Sequence, residues 1–120
     1  MSKNLNVFDI DAENEKAAKR RERVRSREID DIKAVLKRPE GRRLALRILS
    51  QTGLFHASFS LNSMQTSFNE GKRDIGLWLL ADIDLADPMA YSQMLREHYS
   101  ELKSRQKKQE EKDGRATDND

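Results

Sequence analysis

Residues 39–80 read PEGRRLALRILSQTGLFHASFSLNSMQTSFNEGKRDIGLWLL, and nearly all the large apolar side chains of the chain lie in or beside this stretch. Any core must be built from it. Pro39 suits the first turn of a helix, because its φ is fixed and its missing N–H would have no intrahelical partner there. Leu44, Leu46, Ile48 and Leu49 then give a wide apolar face, and Gly53 offers a left-handed stop after Thr52. A second helical pattern begins near Ser63 or Thr66 and runs to Leu85, with Phe68, Ile75, Leu79 and Ile83 as its stripe and Trp78 and Leu80 beside it. Gly71 and Gly76 inside that pattern are expected to let another backbone approach closely. Between the two helices, Phe55 and Phe59 stand among serines and an asparagine, so the connection is expected to fold onto the helices. Phe55, Phe59, Phe68 and Trp78 are accordingly expected to share one core.

The rest of the chain is mostly charge. Of 120 residues, 37% are charged and 36% hydrophobic, which leaves material for one small domain and solvated extensions. From about Asp11 to Lys37 good helix formers follow one another without Gly or Pro, acidic residues first and basic ones after, as the helix dipole favours. An apolar face emerges only at Ile29, Ile32 and Leu36, so packing is expected to begin near Ile29. Residues 1–10, with Leu5, Val7, Phe8 and Ile10 among polar neighbours, read as a docking arm. Asp87-Pro88 restarts a last helix carrying Tyr91, Met94, Leu95, His98 and Leu102 on one side. Beyond Lys103 no large apolar residue remains, and the chain is expected to fray into a tail. The reading is all-α: a charged N-terminal arm or helix over 1–28, a core of three to four helices over 29–102 and a charged disordered tail over 103–120.

Net charge is +2, but residues 1–38 carry 11 basic against 8 acidic side chains, and the excess peaks in KRRERVRSR at residues 19–27. Lys19, Arg20, Arg21, Arg23, Arg25 and Arg27 are therefore candidate phosphate contacts. With no aromatic among them, such binding would be non-specific and salt-sensitive. A solvated helix face is the plainer reading. A second basic group, Arg42 and Arg43 with Lys72 and Arg73, is a candidate grip on carboxylate or phosphate if the two helices bring it together. The alternative is pairing with Glu40, Glu70 or Asp74 at helical spacing.

Catalytic and metal chemistry have little to stand on. There is no cysteine, which removes disulfides, zinc thiolates and thiol catalysis. His56 beside Ser58 lacks an orienting acid, and neither His56 nor His98 has a second His near it. Asp82, Asp84 and Asp87 lack the Gly and bidentate Glu of a calcium loop and read as a solvated helix end. No apolar run approaches a membrane span, and the polar start MSKNLNVFDI has no signal-peptide core. What remains is a binding or assembly module without cofactor.

The order and spacing of Pro39, Gly41, Arg42, Arg43, Gly53, Phe55, Phe59, Phe68, Glu70, Gly71, Arg73 and Gly76 carry a resemblance. This pattern resembles a family of small proteins encoded in the late structural gene clusters of tailed bacteriophages, especially short-tailed phages of the Bordetella-phage type. The resemblance covers roughly residues 30–90 and implies a small, helical, virion-associated or assembly protein with no catalytic residues. It implies other phage virion proteins as partners, in multiple copies, and a virion assembled in the host cytoplasm. Core packing accounts for the glycines, proline and aromatics of the motif, and leaves Arg42, Arg43, Lys72 and Arg73 as the interface candidates. Nucleic acid bound through the basic N-terminal helix is the rival reading.

Overall fold

The computed structural model describes residues 6–55 and 61–118, and within them every regular element is an α-helix. In chain order these are α1 (Val7–Leu36), α2 (Pro39–Gln51), α3 (Ser63–Ala86) and α4 (Ala90–Asp118). The local chemistry explains each boundary. Asn6 caps α1, its side-chain oxygen accepting the Phe8 N–H at 3.3 Å. Because Arg38 precedes proline it is extended (φ −98°, ψ 138°), which ends α1 and sets Pro39 at the start of α2. Gly53, at φ 67°, is the left-handed residue just past the Thr52 cap. Asn62 starts α3 by accepting the Met64 and Gln65 N–H groups at 2.9 and 3.3 Å. Asp87 accepts from the Met89 N–H at 2.9 Å and turns the chain into α4.

The core holds Leu36, Ala45, Leu49, Leu54, Ile83, Ala86, Ala90 and Met94, with Ile29, Ile32, Leu46, Leu79, Leu80 and Tyr91 packed around them. α2 and α3 sit centrally; α1 packs on both, and so does α4. Where the C-terminal cap of α2 meets α3, Gly76 faces Thr52. A Cβ on Gly76 would overlap the Thr52 hydroxyl and stand 2.9 Å from its Cβ and 3.3 Å from the Leu54 Cβ. Gly71 has nothing within 4 Å of its would-be Cβ, so only one of the two α3 glycines meets the expectation of close approach.

Three aromatic expectations are corrected. Phe55, Phe68 and Trp78 are 63%, 61% and 62% exposed; Phe59 lies outside the described residues. The inward face of α3 is Gly76, Leu79, Ile83 and Ala86, and Trp78, five residues before Ile83, is rotated roughly 140° away from it at 3.6 residues per turn. Leu49, Ile83 and Met94 fill the centre instead, with Ala45, Ala86 and Ala90 among them. Phe55 stacks on Tyr91 with ring centroids 5.8 Å apart, and Lys72 Nζ lies 5.4 Å from the Phe68 centroid.

Both ends are longer in helix than the sequence pattern suggests. α1 begins at Val7, inside the expected arm, and α4 continues to Asp118, where fraying was expected beyond Lys103. Residues 7–24 of α1 are exposed except for half-buried Ala17, and so are residues 98–115 of α4. The molecule measures 93 × 41 × 22 Å with a radius of gyration of 23.6 Å. A compact chain of this length has about 14 Å. Two solvated rods therefore extend from a small bundle.

Candidate partner interface

Arg42 projects from the first turn of α2 towards α4 and is only 11% exposed along its side chain. Its Nε donates to both carboxylate oxygens of Glu97 at 3.1 Å, and Nη2 stands 2.9 Å from Oε1. Its Nη1 donates to the Leu36 and Lys37 carbonyls at 2.9 and 3.2 Å, so the same guanidinium closes the C-terminus of α1. One side chain joins three helices. The hydrogen bond from Arg42 holds the Glu97 carboxyl below the usual glutamate range, with Gln93 and the nearby Arg43 adding to the effect against some desolvation. Around this clasp α2 and α4 enclose an open cleft of about 400 Å³, lined by Arg43, Leu46, His98, Glu101 and Arg105 among others.

The four interface candidates do not gather on one face. Arg42 and Arg43 lie at the α2–α4 cleft, whereas Arg73 donates its Nε to the Leu54 carbonyl at 3.2 Å, beyond the other end of α2. Twelve residues of chain separate Arg42 from Leu54, about 18 Å if measured as helix. Lys72 rests on Phe68. Arg42 and Arg73 thus serve the fold in this structure, while Arg43 is exposed.

The basic run of α1 is divided as well. Lys19, Arg20, Arg21, Arg23 and Arg27 are exposed on α1, but Arg25 turns to α3 and engages Asp82 with both Nη atoms, Nη1 at 3.2 Å from Oδ2. Nη1 also donates to Glu28 at 3.0 Å. Asp82 is 4% exposed, which corrects its reading as part of a solvated helix end, and packing of α1 starts one turn before Ile29. His56 and Ser58 lie outside the described residues. Among the described residues no group of three or more His, Asp or Glu can hold a metal ion, and no helix is long and apolar enough to cross a membrane.

A feature that sequence reasoning missed lies on the opposite side of α2. Val35 of α1, Leu44 and Ile48 of α2, and Leu79 and Ile83 of α3 line an apolar groove of about 240 Å³, with Asp31 as the charged residue at its edge. The signal was the width of the α2 apolar face: Leu46 and Leu49 turn inwards, and Leu44 and Ile48 lie beyond what α1 and α3 cover.

The profile of the family described as Bbp19-like phage protein matches residues 32–96, just over half of the chain. The chain belongs to this family. Comparison with curated proteins and with solved structures gives no significant match. The match bears out the resemblance carried by the 39–76 motif. The matched segment takes in the end of α1, α2, α3 and the start of α4, hence the apolar lining of the groove and Arg42 itself, but leaves Asp31 and the basic run of α1 outside and stops one residue short of Glu97.

Proposed function

We propose that this Bbp19-like phage protein is a non-enzymatic virion-associated structural or assembly protein, made in the host cytoplasm, that docks in several copies on a larger virion component such as the portal, tail or internal core. The observation that carries this reading is the shape: a small bundle with two charged helical rods that one chain leaves exposed along most of their length. Isolated helices of this kind gain little from propensity alone and are ordered by surfaces supplied from outside, which repeated virion subunits provide. Arg43 and Lys72 are the cations of the original interface set that remain available for carboxylates of a partner. Quantitative mass spectrometry of purified particles and of assembly intermediates tests the reading. Fixed, multiple copies per particle are expected; absence from both particles and intermediates overturns it.

A second reading rests on Lys19, Arg20, Arg21, Arg23 and Arg27, all exposed on α1, the first four of them on its projecting part. As a nucleic-acid contact it predicts affinity for duplex DNA that falls steeply with salt through counterion release, and loss of that affinity when the five are changed to Gln. An apolar docking surface changes little with salt.

A further inference from the structure

The projecting part of α1 is a rod of two oppositely charged halves. Residues 7–15 carry four carboxylates and no cation, whereas residues 16–24 carry five cations and one carboxylate, so the halves have net charges of −4 and +4. Among the described residues, no ion pair joins two charges of this segment. The helix dipole accounts for carboxylates in the first turn, but at the other end it acts only over the last turn, and the basic half stops about three turns short of Leu36.

One face of the same rod repeats every seven residues. Val7, Asn14 and Arg21 alternate with Ile10, Ala17 and Val24 at spacings of three and four, the pattern of a two-helix seam. At about 100° per residue these six lie within an arc of about 100°, and Phe8 is on the other side of the helix. Val7, Ile10 and Val24 are 70%, 42% and 58% exposed. The seam ends next to Arg25, which turns to Asp82 where the bundle begins. Seam and charge reversal share one midpoint, between Glu15 and Lys16, so a single antiparallel register satisfies both.

We propose that residues 7–24 of α1 pair antiparallel with the same segment of a second copy, closing a two-fold dimer with the two bundles at opposite ends. Val7 of one copy faces Val24 of the other, Ile10 faces Arg21 and Asn14 faces Ala17, each pair occurring twice. The acidic half of each rod then lies along the basic half of the other. Glu13 and Arg20 flank the seam on the same side and meet across it. The stem of Arg21 covers Ile10 while its guanidinium stays in water beside the acidic turns. A parallel pair would keep the apolar layers but set acid beside acid and base beside base. α4 offers no rival seam, having no large apolar residue beyond Leu102. A seam of about 26 Å with three large apolar side chains per copy buries less than the about 800 Å² per partner of a standard interface, so the dimer is weak at high dilution and is strengthened where copies are held close. The inference does not depend on which virion component the protein joins.

Four of the cations are also those of the nucleic-acid reading, so the test uses full-length protein freed of nucleic acid. Sedimentation equilibrium over a rising concentration series at low salt is expected to show monomer and dimer and nothing larger, with Kd rising as salt is added. Reversing the acidic half (Asp11→Lys, Glu13→Lys and Glu15→Lys) or the basic half (Lys19→Glu, Arg20→Glu and Arg23→Glu) is expected to raise Kd at least about tenfold, since each reversed charge acts twice, and the two variants are expected to pair when mixed. Disulfide trapping reads the direction without any change of charge, in a chain that has no cysteine of its own. Val7→Cys mixed with Val24→Cys in a glutathione redox buffer is expected to give the mixed disulfide well above its statistical share, because like positions stand about 26 Å apart in the antiparallel pair. The proposal is overturned by a wild type that stays monomeric throughout, by a dimer that neither charge reversal weakens, or by 7–7 and 24–24 disulfides at or above their statistical share.

Discussion

Arg25 and Asp82, 57 residues apart in sequence, meet as a forked ion pair in which the carboxylate is buried and the guanidinium is open to solvent on one side. The pair fastens α1, at the inner end of its exposed stretch, to the last turns of α3. Its asymmetry has an energetic consequence, because a charge left alone in a buried place costs more than one left alone in water.

Arg25→Ala is therefore expected to lower the urea midpoint more than Asp82→Asn. The first change strands a buried carboxylate, while the second leaves a guanidinium that water and Glu28 can serve. Equal midpoints for the two variants would show that Asp82 is solvated in the free protein.

Gly76 and Gly71 make a paired test on one helix. Gly76→Ala drives a methyl group into Thr52 and is expected to cost about 1–3 kcal/mol as overpacking, part of it recovered by Thr52→Ala in a double-mutant cycle. Gly71→Ala meets nothing and is expected to gain up to about 1 kcal/mol from helix propensity. Chemical denaturation of the four variants, the double one included, reads both signs.

The clasp at Arg42 predicts an acid limb. Glu97 is held below its ordinary range in the folded protein, chiefly by Arg42, so its contribution is fully present above the unfolded-state value and is lost as pH falls through the lowered folded value. Stability is expected to be flat with respect to this group near neutrality and to decline under acid conditions, with a shallower decline in Glu97→Gln. Arg42→Ala, which also frees the carbonyls of Leu36 and Lys37, is expected to cost about 2–3 kcal/mol, and Arg43→Glu to stay within about 0.5 kcal/mol. Denaturant titrations at several pH values separate these outcomes.

The helices were legible because their punctuation is local: Pro39, Gly53 and Asp87-Pro88 mark ends through backbone geometry that needs no knowledge of the rest of the fold. The site was less legible, because the roles of Arg25, Arg42, Asp82 and Glu97 depend on partners 55 or 57 residues away that no periodicity reveals. Aromatic size misled for a related reason. Bulk suggests burial, but the small core is filled by Leu49, Ile83 and Met94, and Trp78 is left on the outer side of α3.

That last point can be measured directly. Leu49 and Ile83 are each 1% exposed and Met94 2%, so replacing any of them by Ala leaves a cavity the bundle cannot easily close and is expected to cost about 2–5 kcal/mol. Such a loss threatens a domain with so small a core. Trp78→Ala and Phe68→Ala remove larger side chains yet are expected to cost under about 1 kcal/mol in the isolated chain, since most of their surface is already in water. Guanidinium denaturation followed by circular dichroism, which does not rely on the removed indole, compares the two sets. If Trp78→Ala destabilises the free protein as much as Leu49→Ala, the indole is part of the core in solution and the inward face of α3 is wider than Gly76, Leu79, Ile83 and Ala86.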